Sequence, residues 1–70
     1  MEKVIHSAMY VVGDFRIEFY ELYDEDTRKS RWELDVYGNE TGDLCLTRSY
    51  KDVSVANEYL LSALDYFKTL

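Results

Sequence analysis

The sequence predicts an α+β fold: a four-stranded antiparallel sheet with one C-terminal amphipathic helix packed on one face, two layers in a single domain over residues 1–70. Three observations lead to it. Residues of high β propensity fill the chain before Asp52, alternating most strictly from Arg31 to Tyr37; Gly13, Gly38 and Gly42 punctuate that stretch; and from Asp52 the hydrophobic period becomes helical.

The first strand is read from Val4 to Val12, a run of high β propensity, and Gly13-Asp14 suits a tight hairpin before a second strand from Phe15 to Tyr23. In that second strand Phe15, Ile17 and Phe19 alternate with Arg16 and Glu18, but Tyr20 and Leu22 take the opposite parity. Either a bulge near Phe19-Tyr20 or burial on both faces accounts for the switch. After the polar connection Asp24 to Ser30, Trp32, Leu34 and Val36 alternate with Arg31, Glu33, Asp35 and Tyr37, which predicts one buried face and one wet face. Gly38 to Gly42 has hairpin-loop composition, and Leu44 and Leu46 continue the inward face into a fourth strand. Val53, Ala56, Leu60, Ala63, Leu64 and Phe67 then recur at helical spacing, with Asp52 or Ser54 as N-cap and Lys68 suited to the last turn. A helix of about 27 Å, at 1.5 Å per residue, covers only part of such a sheet, so self-association through the open face or a sheet edge is expected.

Composition narrows function by exclusion. Fourteen acidic residues against eight basic ones give a net charge of −6, spread along the chain, and a field of that sign repels nucleic acid and attracts basic partners. Seven Tyr, three Phe and one Trp are too many for a disordered acidic tail. Small sheet-plus-helix domains that stack single-stranded bases on aromatic rings also need a positive groove, which this chain lacks, so packing is the expected role of Tyr10, Tyr20, Tyr23, Tyr37, Tyr50, Tyr59 and Tyr66. The start, Met1-Glu2-Lys3 before a run broken by His6 and Ser7, does not read as a signal peptide, and no apolar run approaches the roughly 20 residues of a membrane span. A cytoplasmic location is expected.

Catalytic chemistry has little to draw on. His6 is the only histidine and Cys45 the only cysteine, and no glycine-rich phosphate loop is present, so neither a metal site nor a nucleophile–base pair is predicted. His6 is expected at the surface or in a structural role, and Cys45 as a small buried or half-buried hydrophobe between Leu44 and Leu46. Asp24-Glu25-Asp26 lacks the spacing and glycine of a calcium loop, and an exposed turn does not separate two carboxyl pKa values. The chain is therefore expected to be no enzyme and to carry no cofactor.

The arrangement that points to binding joins Glu18 and Glu21 on the second strand with Glu33 and Asp35 on the third, flanked by Asp24, Glu25 and Asp26. Residues two apart on a strand project the same way at about 6.8 Å, comparable to the phosphate spacing of a nucleic-acid strand. Arg16, Arg28, Lys29 and Arg31 can instead neutralise these acids through cross-strand pairs, leaving a salt-bridged solvent face.

In size, charge, aromatic content and sheet–helix pattern, with the acids from Asp14 to Asp43 as local support, the chain resembles the small acidic proteins with which bacteriophages disable host factors, DNA mimics among them. No shared motif transfers a residue-level role. The resemblance implies a homodimer of charge −12, two chains of −6, that inhibits a basic DNA-binding protein in the host cytoplasm: a histone-like nucleoid protein of the HU type, a restriction or defence nuclease, or a polymerase subunit. The alternative expectation is a small regulatory or assembly module that binds a protein through an apolar sheet face or edge.

Overall fold

A computed structural model describes all 70 residues. Four strands, β1 (Glu2–Val12), β2 (Phe15–Asp24), β3 (Lys29–Gly38) and β4 (Leu44–Tyr50), precede one helix, α1 (Val53–Lys68). The sheet is an antiparallel meander in the order β1-β2-β3-β4, and α1 packs across one face, chiefly over β3 and β4. The α+β architecture is the one the sequence predicts.

Hydrophobic alternation fixes which side of each strand faces the helix. Ile17 and Phe19 pair with Val36 and Leu34, and Val36 pairs in turn with Leu46, so these residues line the face beneath α1. Leu60 and Ala63 of α1 meet Ile17, Leu34 and Val36 to form the buried core, with Val12, Phe15, Phe19, Leu46, Tyr50, Leu64 and Phe67 packed around it. Trp32 is half-buried and lies outside this cluster, and Val53 is exposed at the helix start.

The β2–β3 ladder runs without a break from Phe15 opposite Gly38 to Asp24 opposite Lys29. Of the two accounts of the parity switch, a bulge at Phe19-Tyr20 is therefore absent, and partial burial on both faces holds, since Phe19, Tyr20 and Leu22 are all half-buried. The irregularities fall on the two edge strands: Ile5 is the extra residue of β1 between Val4 and His6, and Cys45 is that of β4 between Leu44 and Leu46. Cys45, at this bulge, is exposed and not the buried or half-buried hydrophobe expected.

Asp52 caps α1, its carboxylate accepting from the Ser54 and Val55 amides at 2.8 and 3.3 Å. The helix has 16 residues, about 24 Å at 1.5 Å per residue and shorter than expected. Its far end reaches the β1–β2 turn, where Gly13 has φ 57° and an added Cβ would stand 3.4 Å from the Phe67 carbonyl oxygen. The result is a thin slab of 39 × 23 × 15 Å. No helix is long and apolar enough to cross a membrane.

Candidate functional site

The open face of the sheet collects Glu18, Glu33 and Asp35, as their parity requires. Glu18 stands opposite Asp35, and Tyr20 opposite Glu33. None of the three carboxylates is free. Glu18 accepts from Arg16 Nε at 2.8 Å and from the Tyr20 hydroxyl. Arg16 also lies over the Tyr37 ring, 4.7 Å from its centroid, and so closes the upper rim of the cluster. Asp35, only 7% exposed, accepts from Thr47 Oγ1 at 2.5 Å, so the strand face expected to be wet is closed at its centre. Glu33 accepts from Arg31 Nη1 at 3.2 Å. A hydrogen bond shared with Asp35 and partial burial together raise the Glu33 pKa above the usual carboxylate value.

The remaining four predicted site residues divide between two other places. Glu21 lies on the helix-side parity of β2, where it accepts from Ser30 Oγ at 2.7 Å and stands 3.0 Å from His6 Nδ1. The Ser30 bond and then the His6 contact hold its pKa below the ordinary value. Asp24 accepts from the Asp26 amide at 2.8 Å, which lowers its pKa, while Asp26 pairs with the N-terminal ammonium at 2.9 Å and Glu25 with Lys3 Nζ at 2.7 Å. Arg31 forks onto Glu2 at 2.6 and 2.9 Å, which holds the Glu2 carboxyl below its ordinary pKa. All seven carboxylates picked from the sequence are thus engaged inside the molecule.

Free negative charge lies elsewhere. Asp14, Glu40, Asp43, Glu58 and Asp65 are exposed, and their side chains make no ion pair or hydrogen bond. Asp14, Glu40 and Asp43 share one end of the sheet, because the Asn39 amide donates to the Asp14 carbonyl and the Gly38 amide to that of Asp43, both at 2.9 Å. The opposite end carries Arg28, Lys29 and Lys51, cations without an ion pair. Among the strands and their connections the unpaired acids thus gather at one end and the unpaired cations at the other, while Lys68, also without an ion pair, lies at the helix end that reaches Gly13. Sequence reasoning missed this because pairing depends on strand register: Arg31 and Glu2 are 29 positions apart.

A second surface was not foreseen in place. An open groove of about 680 Å³ runs between α1 and β4, lined by twelve residues of which ten are hydrophobic. Tyr50 stacks on Tyr59 at its floor, ring centroids 5.0 Å apart, while Tyr59 and Tyr66 remain 54% and 59% exposed. Packing within the domain thus accounts for only part of the tyrosine content. Arg48 is the one charged residue in the lining. No group of three or more His, Cys, Asp or Glu side chains is placed to hold a metal ion. Compared with known protein families, curated proteins and solved structures, the chain matches none.

Proposed function

We propose that the chain is a non-enzymatic acidic binding protein that occupies the nucleic-acid site of a basic DNA-binding protein as a DNA mimic. The observation that carries this reading is the set of five exposed carboxylates without internal partners, three of them at one end of the sheet. DNA holds its proteins through phosphate contacts to Lys and Arg, and unpaired carboxylates in the strand connections and on α1 suit the same side chains. The contact surface is then the Asp14–Glu40 end with Glu58 and Asp65, and Glu18, Glu33 and Asp35, engaged within the sheet, lie outside it.

The test is competition for DNA bound to a purified histone-like nucleoid protein across a salt series. Displacement should weaken steeply as salt rises. Replacing Asp14, Glu40, Glu58 and Asp65 together with Asn or Gln should flatten that slope, whereas Glu18→Gln should leave it unchanged. No displacement at low salt, or an unchanged slope in the fourfold variant, would exclude the reading.

The groove favours a second reading, an assembly module that works by apolar contact. Such binding persists or strengthens when charges are screened, so the same salt series separates the two.

A further inference from the structure

The groove and the edge strand beside it form one continuous surface, and both are built unlike the rest of the molecule. None of the fourteen carboxylates lines the groove; five aromatic rings and Arg48 do. Depletion of acids with enrichment of aromatics and arginine is the composition of a protein–protein interface core. On α1, Tyr59, Ala63 and Tyr66 recur at i, i+4 and i+7 along the groove, and Leu70 extends the row beyond the helix end. The accessible surface is 4949 Å², against about 4,600 Å² expected of a folded monomer of 8.3 kDa. The radius of gyration is 12.6 Å, against about 11 Å for a compact chain of this length. The domain is thin and open for its mass.

We propose that β4 and this groove are the interface of a two-fold homodimer, in which β4 pairs antiparallel with its own copy to make one eight-stranded sheet. The inference stands on the groove and the charge layout, independently of the proposed target. A two-fold axis normal to the sheet puts both helices on the same face and makes them antiparallel. An axis over β3 lies about 14 Å from its mate, three strand spacings. Direct helix contact needs about 8–10 Å, so large side chains must fill the gap, and Tyr59 and Tyr66 of each copy stand where it opens.

Charge complementarity selects a second copy as the occupant. Antiparallel pairing of β4 about its middle residue, Thr47, sets Leu46 against the partner's Arg48 and, beyond the Cys45 bulge, brings the Asp43 end of one copy to the Lys51 end of the other. Neither Asp43 nor Lys51 has an ion-pair partner within its own chain. The polarised ends thus meet acid to base twice, and no carboxylate lies in β4 itself to repel the copy. The opposite edge, β1, exposes Val4, Ile5, Met9 and Val11 but has only hollows of about 120 and 280 Å³ beside it and carries Glu2 and Lys3 at its start.

Sedimentation equilibrium of the full chain and its variants tests the proposal. The parent should run at about twice 8.3 kDa. Tyr66→Glu should give a folded monomer by circular dichroism. Asp43→Lys and Lys51→Glu should each raise the dimer dissociation constant by about tenfold, and the two together should restore it, because the swap preserves complementarity. Met9→Glu on β1 should remain dimeric. The charge swap lies at exposed positions and stays decisive if Tyr66→Glu fails to fold. A monomeric parent, a dimer lost in Met9→Glu and kept in Tyr66→Glu, or a double swap weaker than either single change would overturn it.

Discussion

Glu33 is the residue whose surroundings oppose its charge. It can share a hydrogen bond with Asp35 only when protonated, and it accepts from Arg31. Because its folded pKa is raised, the stability it contributes is fully present below the ordinary glutamate value and is lost as pH rises through the folded value. Glutamine at this position can donate to Asp35 and accept from Arg31 without a charge. Glu33→Gln should therefore stabilise the fold at neutral pH by up to about 1 kcal/mol, the worth of a typical internal hydrogen bond, and the gain should vanish in acid. Urea unfolding of both proteins across the acid range checks it. Glu2, Glu21 and Asp24 have the opposite sign: their lowered pKa values lend stability above the ordinary carboxylate range that is lost as pH falls through the folded values. Parity alone put Glu18, Glu33 and Asp35 on one face, and that much was legible in the sequence. Their partners were not, since Thr47 reaches Asp35 only through the β3–β4 register.

At the scale of elements, the helix is held at its two ends by different means. Asp52 satisfies two otherwise unpaired amides at the start, and Asp52→Ala should lower stability by roughly 0.5–2 kcal/mol in thermal unfolding. At the far end the β1–β2 turn lies against the Phe67 carbonyl, and Gly13→Ala should destabilise through its positive φ. A two-residue turn fixes the register of β1 on β2, and Gly13 is where that turn meets the helix. Strand and helix positions were readable because period 2 gives way to period 3.6 near Asp52. The bulges at Ile5 and Cys45 were not, because an extra residue on an edge strand leaves the hydrophobic pattern of its neighbour intact.

Across the whole molecule, few residues are buried and each counts for much. Leu34→Ala removes a side chain 2% exposed at the centre of the core and should cost about 2–5 kcal/mol, enough to unfold a large fraction of a marginal domain. Trp32→Ala should cost less, because Trp32 sits beyond the helix footprint; denaturant midpoints of the two variants give the comparison. The two-layer plan was legible because one amphipathic helix and four strands joined by tight connections admit few arrangements. The groove was not, since it depends on α1 leaving much of β4 uncovered, which no local pattern encodes. The meander has a kinetic consequence as well. Every ladder joins strands adjacent in sequence, so the sheet can zip hairpin by hairpin, with only short loops to close before each gain. The unbroken β2–β3 hairpin is the natural nucleus, and α1, attached beyond β4, docks last. Stopped-flow measurements should then find that Leu34→Ala slows refolding, whereas Asp52→Ala leaves the refolding rate near that of the parent and hastens unfolding.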